Sequence, residues 1–328
     1  MNFGREPERG AEGMADTDFA ASTDRYRREL LAHCYRMLGS VQDAEDLVQE
    51  TLLRAWRARD SYDENRAGMR TWLYRIATNA CLTALEQRGR RPLPAGLGAA
   101  GEDPREPLVH GGETPWLQPI PDSMIADPSE SALVQGSLRL AFVAALQQLP
   151  AKQRAVLVLR EVLDWPAAQV AQALDMSPAA VNSALQRARK TLHSSGLRED
   201  EVVENAAQRA VVDSYVAAFR RADLAALEKL LADDVILEMP PMLNWFAGRA
   251  DYIGFMEWVF EIHAPDWEMV PLWANGQPAL AAYAPDPAGG HTLHTLQIFT
   301  ITAGLISHLI TYQVQEVFDL FDLPPRLP

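Results

Sequence analysis

The chain has 328 residues, of which 48% are hydrophobic and 23% charged, and its formal net charge at pH 7 is −14. This length and apolar content predict several folded domains. No run approaches the roughly 18 apolar residues of a membrane-spanning helix, and the N-terminus lacks a signal peptide's apolar segment, so we expect a cytoplasmic protein. Cys34 and Cys81 form no C-x-x-C pair, which predicts buried reduced thiols, with no metal site and no cofactor.

The helical stretch that includes Asp43 to Glu50 carries different chemistry on its two faces. On a 3.6-residue period, Ala44, Val48, Thr51 and Ala55 lie on one side. The other side is acidic with an apolar residue in its middle, which indicates a protein partner, although a plain solvated face explains the pattern equally well. The residues that we expect to bind this partner are Asp43, Asp46, Gln49, Glu50 and Leu53.

The next helix, Met69 to Glu86, has a basic and aromatic outer face. We expect Leu73, Ile76 and Ala80 to pack inward, and Trp72 taken alone also favours a core position. Aromatic rings stack on unpaired bases and guanidinium groups neutralise phosphates, so this face suits single-stranded nucleic acid. We expect the outer face to hold Arg70, Thr71, Tyr74, Arg75, Thr78 and Asn79.

These two segments, DAEDLVQET and TWLYRIATNACL, resemble region 2 of an extracytoplasmic-function bacterial RNA polymerase sigma factor. The resemblance covers residues 18–88. It implies that the acidic face docks on the clamp of the polymerase largest subunit and that the basic helix, with the loop Ser61 to Gly68, captures the melted promoter −10 element. The residues implied for that element are Arg70, Thr71, Trp72, Tyr74, Arg75 and Asn79. Thr83 departs from the acidic residue frequent in the family, which affects the −10 preference.

Residues 89–130 are predicted to be a linker, because Gln87 to Glu130 contains eight Pro and six Gly in 44 residues. In the resembling family this linker threads the polymerase near the RNA exit path. The segment TPWLQPIPD places three apolar residues between prolines, which is typical of an extended docking peptide. We expect it to bind either the polymerase or the rest of this chain.

Residues 131–198 predict three helices that end in a helix-turn-helix. Pro166 starts a short helix, and Ser177 caps a last helix that begins with Pro178. Glu130 to Arg198 carries a net charge of +4. The block resembles sigma region 4, which reads the promoter −35 element, and Asn, Gln and Arg are suited to base edges in a major groove. The expected contact residues are Asn182, Ser183, Gln186, Arg187 and Lys190.

Residues 199–328 hold most of the chain's acidity, with 19 Asp plus Glu and six Lys plus Arg. The order of helices and strands is α+β and resembles a SnoaL-like, or nuclear-transport-factor-2-like, cone. Such a cone encloses an apolar pocket, which implies a small hydrophobic ligand. We assign no catalytic residue, because the spacing of Glu238, Asp251 and His294 identifies no acid/base pair. The expected pocket residues are Trp245, Phe246, Tyr252, Trp258 and His294.

We therefore predict a multidomain protein with two all-α sigma domains, a disordered tail at residues 1–17 and a C-terminal α+β cone. The order resembles sigma factors of the sigma-G and sigma-J type, which carry such an extension. It implies a non-enzymatic initiation factor that binds core RNA polymerase and promoter DNA, with the acidic cone folding back on the basic sigma helices. Two alternatives stay open: an isomerase or cyclase fused to a helical interaction module, and a one-component helix-turn-helix transcription factor.

Overall fold

A computed structural model describes residues 19–87, 89–125, 136–194, 205–263 and 265–328, so the predicted tail at residues 1–17 lies outside the described residues. The α-helices of five or more residues with assigned bounds are α1 (Arg27–Leu38), α2 (Val41–Arg57), α3 (Met69–Gln87), α4 (Leu140–Gln147), α5 (Ala151–Leu157), α6 (Ala167–Leu174), α7 (Pro178–Ser194), α8 (Asn205–Arg220), α9 (Leu224–Glu228), α10 (Arg249–Ile262) and α11 (Gln315–Leu320). The strands are β1 (Leu231–Glu238), β2 (Trp245–Ala247), β3 (Glu268–Ala274), β4 (Gln277–Pro285), β5 (His291–Thr302), β6 (Leu305–Tyr312) and β7 (Arg326–Leu327).

The described residues form two compact units. The helical unit contains residues 19–87 and 150–188, and the sheet unit contains residues 89–125, 136–149, 189–194, 205–263 and 265–328. This division differs from the predicted domain boundaries, because the predicted linker and α4 belong with the strands. Within the described ranges, no helix is both long and apolar enough to cross a membrane.

The helical unit begins with α1, α2 and α3, whose ends follow from local chemistry. α1 ends at Gly39 in the left-handed conformation, which suits glycine because it has no Cβ. α2 starts after Ser40, whose hydroxyl accepts a hydrogen bond from the Asp43 N–H at 3.2 Å. Cys34 on α1 and Cys81 on α3 are fully buried free cysteines, as predicted.

The second part of the helical unit is a helix-turn-helix formed by α6 and α7. α6 ends at Asp175, whose φ of 53° turns the chain. The prediction of the α7 cap is confirmed, because the Ser177 hydroxyl accepts a hydrogen bond from the Ala180 N–H at 3.1 Å. Val181, Leu185 and Ala188 are buried on one side of α7, which leaves its other side exposed.

The sheet unit is built on one curved sheet with strand order β2-β1-β6-β5-β4-β3, and β7 pairs with β5. β1 and β6 are parallel and the other neighbours antiparallel. One face packs on the helices α8, α9 and α10 through an aromatic core that includes Tyr215, Phe219 and Phe299. This helix-covered sheet confirms the predicted α+β class.

The opposite face of the sheet is covered by part of the segment predicted to be a linker, whereas residues 101–108 of that segment pack on α10 and on the core beneath it. We call residues 92–122 the strap. Its Trp116, Leu117 and Ile120 are buried, and the Tyr312 hydroxyl donates to the Leu117 carbonyl at 2.9 Å. Gly111 lies against the Trp116 ring so closely that a Cβ there would stand 2.4 Å from it. Of the two partners predicted for TPWLQPIPD, the polymerase or the rest of this chain, the structure shows contacts with the rest of the chain.

Two buried amides, Asn275 in the β3–β4 turn and Gln277 on β4, hold the end of the strap and the start of α4. The Asn275 side chain accepts from the Ile120 N–H at 2.9 Å and donates to the Leu138 carbonyl at 2.7 Å. Gln277 accepts from the Leu140 N–H at 2.9 Å. The segment rich in Pro and Gly is therefore not a free linker. Backbone groups of this segment that are not paired within a helix or strand form hydrogen bonds to the sheet instead.

Candidate functional site

The outer side of α2 forms an exposed surface that we call the acidic docking face, with Asp43, Asp46, Gln49, Glu50, Leu53 and Trp56. Val48 and Ala55 are buried on the opposite side, which turns this surface outward. Leu53 and Trp56 are 41% and 40% exposed. Large exposed apolar side chains among carboxylates are typical of a protein-binding surface.

The predicted residues of this surface differ in their solvent exposure. Asp46, Gln49 and Leu53 are exposed, whereas Asp43 and Glu50 are half-buried, and Glu50 pairs with Arg54 at 2.7 Å. The sequence interpretation missed Trp56. Its seven-residue spacing from Gln49 puts both on one side of the helix, which could have identified it.

On α3, the exposed stripe is narrower than predicted. Arg75 and Asn79 are exposed, four residues apart, and Trp72 is half-buried against Tyr62 with ring centroids 5.0 Å apart. Arg70 is exposed and pairs with the Glu29 carboxylate at 2.7 Å. This stripe combines a guanidinium, an amide and an indole, which suit phosphate and base contacts.

The prediction that Tyr74 and Thr78 face outward is wrong. Tyr74 is 1% exposed and its hydroxyl donates to the Glu29 carboxylate at 3.1 Å. Thr78 lies 2.9 Å from the His33 imidazole. Burial, with Arg36 and Arg70 nearby, lowers the pKa of His33 to about 3. α1 covers this side of α3, so tertiary packing overrides the helical-wheel assignment.

Within the helical unit, the second block contacts two of the residues predicted for single-stranded DNA. The Gln169 amide donates to the Thr71 hydroxyl at 3.2 Å, and Trp165 lies edge-on to Tyr74 with ring centroids 6.2 Å apart. A third contact joins the guanidinium of Arg154 to the Met37 carbonyl. In this arrangement Thr71 and Tyr74 are engaged inside the unit.

α7 presents an exposed polar face in the position of a recognition helix. All five residues predicted to read base edges are exposed: Asn182, Ser183, Gln186, Arg187 and Lys190. Their spacing repeats every three to four residues, so they share one side of the helix. A helix with this face exposed fits a DNA major groove.

The five predicted pocket residues do not form one cavity. Phe246 and Tyr252 are 1% exposed and belong to the core, where the Tyr252 hydroxyl meets that of Tyr215 at 3.0 Å. Trp258 packs against the same core, and the Trp245 indole donates to the strap carbonyl of Gly98 at 3.1 Å.

His294 is half-buried next to His263 and Trp267, with ring centroids 5.0 and 5.3 Å away. Burial and the neighbouring His263 lower the pKa of His294 to about 4. A groove of about 490 Å³ does exist in the described part of the chain, but it lies between the strap and residues 312–317 and includes none of the five. Aromatic side chains predicted the pocket, but aromatic side chains also fill the core of this domain.

Comparison with known proteins covers most of the chain. The family model for sigma-70 region 2 matches residues 23–91, that for sigma-70 region 4 matches residues 139–192, and that for the SnoaL-like domain matches residues 212–309. These matches fall on α1–α3, on the helices that end in the helix-turn-helix, and on most of the curved sheet with its helices.

Two relatives come from Mycobacterium tuberculosis. The chain is 45% identical to the ECF RNA polymerase sigma factor SigG over 334 residues, which covers 99% of this chain and 88% of the relative. It is 32% identical to the ECF RNA polymerase sigma factor SigJ over 213 residues, which covers 64% of this chain and 61% of the relative. The crystal structure of SigJ has a TM-score of 0.63 at 23% identity, covers 93% of this chain and 99% of that chain, and shares its fold.

Proposed function

Since the chain belongs to the extracytoplasmic-function RNA polymerase sigma factors, we propose that three exposed helical surfaces divide promoter recognition among them. A sigma factor binds core RNA polymerase and directs it to promoter DNA, and this is the function of the chain. The observation that carries the proposal is the exposure of Leu53 and Trp56 among the carboxylates of α2. That combination is costly on a plain solvated helix and useful at an interface.

The acidic docking face binds the clamp of the polymerase largest subunit. Its carboxylates steer the encounter with a basic partner surface, and Leu53 and Trp56 supply the apolar contact that slows dissociation. Ser40 caps α2 and Val48 and Ala55 anchor it in the core, so the surface is held rigid before it binds.

Charge reversal tests this surface. The double variant Asp46→Lys with Glu50→Lys should weaken binding to core polymerase at least tenfold, because it replaces attraction with repulsion. Glu228→Lys makes the same type of change on an exposed carboxylate of the sheet unit and should bind normally. Unchanged affinity of the double variant in a fluorescence titration with core polymerase would refute the assignment.

Arg75 and Asn79, with Trp72 at the edge, contact the melted −10 element. Thr71 joins them only after the second helical block has moved away, because Gln169 engages it in the described arrangement, whereas Tyr74 stays buried beneath α1. Arg75→Gln should reduce permanganate reactivity of melted promoter thymines while polymerase binding is retained. Glu86→Gln, on the same helix, serves as the control, and equal melting by both variants would contradict this role.

The exposed side of α7 reads the −35 element. Gln186→Ala and Arg187→Ala should each weaken promoter binding by the holoenzyme roughly 5- to 150-fold, the effect of losing one base contact. The loss should disappear on templates whose −35 element is scrambled, because those templates offer no contact to lose. A uniform loss on every template would indicate a phosphate contact instead.

The SnoaL-like domain regulates the sigma domains from within the same chain. Its net charge of −13 over residues 199–328 is opposite in sign to the charge of the basic sigma helices. Its sheet also binds the strap, which lies between the two sigma domains in the chain. While the strap is bonded to this sheet, it cannot thread the polymerase near the RNA exit path as the linker of the family does. Truncation after Gly196 should therefore change run-off transcription, and unchanged promoter use and polymerase affinity would remove the regulatory proposal.

We propose no catalysis for the SnoaL-like domain and keep the small hydrophobic ligand as an open proposal. Glu238 points toward the strap, where it accepts from the Ala95 N–H at 2.8 Å and lies 2.9 Å from His308. A carboxylate used in this way is not placed to abstract a proton from a ligand inside the cone. Absence of turnover of hydrophobic ketones by the full chain would agree with this interpretation, and turnover would overturn it.

A further inference from the structure

The acidic docking face continues into a basic segment at the end of α2. Residues 41–50 contain four Asp or Glu and no Arg or Lys, whereas residues 51–59 contain three Arg and no Asp or Glu. The residues that connect the two halves lie within about 60° of one another around the helix axis, and they are Asp46, Glu50, Leu53 and Arg57. One side of α2 therefore carries negative charge in its first half and positive charge in its second.

Arg57 and Arg59, which we call the basic end, are engaged differently from Arg54. The Arg54 guanidinium lies 2.7 Å from the Glu50 carboxylate, which balances its charge within α2. Arg57 is exposed, and within the described part of the chain it has no ion-pair partner. Arg59 lies 4.4 Å over the Trp56 ring and donates to the Trp56 carbonyl at 3.0 Å. A guanidinium held over an aromatic face can still donate from its edge to a carboxylate.

The helix macrodipole accounts for only part of this pattern. It favours Arg near a helix C-terminus, but its effect is confined to the last turn. Arg59 lies beyond the end of α2 and packs on an indole that is 40% exposed, a pairing that the macrodipole does not require. Asp60, 3.9 Å from the Arg59 guanidinium and 91% exposed, offsets some of the charge. The basic end still has a net positive charge, because two guanidinium groups stand beside one carboxylate.

The acidic half and the basic end are far enough apart to meet different groups on a partner. Arg57 follows Asp46 by 11 residues, which is about 16 Å along the helix axis. Exposed charges are screened over roughly 8 Å at physiological ionic strength. A partner surface that is basic throughout would attract the acidic half and repel the basic end. A surface that fits both halves has an acidic side chain beside its basic ones.

We propose that the basic end binds a carboxylate on the largest subunit of RNA polymerase, next to the basic surface that receives Asp46 and Glu50. The inference rests on the proposed function of the acidic docking face and adds the chemistry of the surface that faces it. Leu53 and Trp56 make the apolar contact between the two charged regions. With opposite charges at its two ends, α2 binds the polymerase in one direction only, because the reversed direction places like charges together.

Charge reversal at the basic end tests the proposal in the full chain, by fluorescence titration with core polymerase. Arg57→Glu should weaken binding about tenfold, because it replaces attraction with repulsion. Arg57→Gln removes only the charge, is milder at a helix C-terminus, and should weaken binding about threefold. Lys229→Glu reverses the charge of an exposed residue of the sheet unit and should bind normally. Circular dichroism and thermal unfolding of each variant show whether the fold is retained.

The sign of the effect decides between the two kinds of partner surface. A surface that is basic throughout predicts tighter binding of Arg57→Glu, and tighter or unchanged binding would overturn the inference. Asp60→Asn removes the offsetting carboxylate and should tighten binding about twofold, whereas weaker binding would contradict the proposal.

The double variant Asp46→Lys with Glu50→Lys separates this inference from the proposed function. If the double variant binds weakly and Arg57→Glu binds normally, the acidic docking face stands and only the acidic counter-group is wrong. If the double variant binds normally, the docking face and the inference that rests on it are both wrong. Weak binding of both the double variant and Arg57→Glu, with normal binding of Lys229→Glu, is the result that we expect.

Discussion

Glu238 on β1 holds the backbone of Ala95, 143 residues earlier in the chain, through a 2.8 Å hydrogen bond from the Ala95 N–H to Oε2. The other carboxylate oxygen lies 2.9 Å from the His308 imidazole, and Glu238 itself is 2% exposed. A carboxylate on the strap-covered side of the sheet therefore fixes the segment that leaves the helical unit.

Removing this carboxylate should loosen the strap. Glu238→Ala leaves the Ala95 N–H and His308 without this acceptor, which should lower the free energy of unfolding by about 1–3 kcal/mol. Trypsin should cleave faster after Arg105 in the strap. Urea denaturation and limited proteolysis measure the two effects, and Glu228→Ala, an exposed control, should change the free energy of unfolding by less than about 0.5 kcal/mol.

Asn275 combines a turn with a clamp, and two substitutions separate these roles. Asn275 and Gly276 have φ of 58° and 67° in the two-residue β3–β4 turn, where asparagine and glycine are favoured. Asn275→Gly keeps the turn but removes the bonds to Ile120 and Leu138, and should cost about 2–3 kcal/mol of unfolding free energy. Asn275→Ala should cost roughly 1 kcal/mol more because of the positive φ. Equal stability of Asn275→Gly and the unsubstituted chain in urea would show that the amide clamp contributes nothing.

His33 should make the helical unit sensitive to acid. Its folded-state pKa of about 3 lies below the ordinary value, so the unfolded state binds the proton more readily. The stabilisation is complete above about pH 6.5 and is lost as pH falls toward 3; at pH 5 the loss should be about 2 kcal/mol. Hydrogen exchange of α1 and α3, corrected for intrinsic rates, measures it. His33→Gln should remove this pH dependence, and an unchanged dependence would assign it to other groups.

Trp56 should contribute to polymerase binding without contributing to the fold. It is 40% exposed and Arg59 lies 4.4 Å above its ring. Trp56→Ala should weaken binding to core polymerase roughly tenfold, the effect of losing one interface anchor. Val270→Ala, at an exposed apolar position of β3, provides the control. Equal affinities in the titration would exclude Trp56 from the interface.

Some elements were predictable because their causes are local. Ser40, Gly39 and Ser177 end or start helices through bonds to neighbouring residues, and α7 shows its polar face because Val181 and Leu185 repeat at helical spacing. The Asn-Gly turn at Asn275 is equally local, yet the sequence interpretation overlooked it, together with the strand β3 that it joins.

The amino-acid sequence by itself determined the exposed sides of α2 and α7, the helix-turn-helix and the separation of acidic from basic segments, because periodicity, capping and charge act over a few residues. Only the tertiary structure decided that Tyr74 is buried and that the strap lies on the sheet. Those outcomes depend on partners tens to hundreds of residues away, and the same side chain is core or surface according to which element covers it.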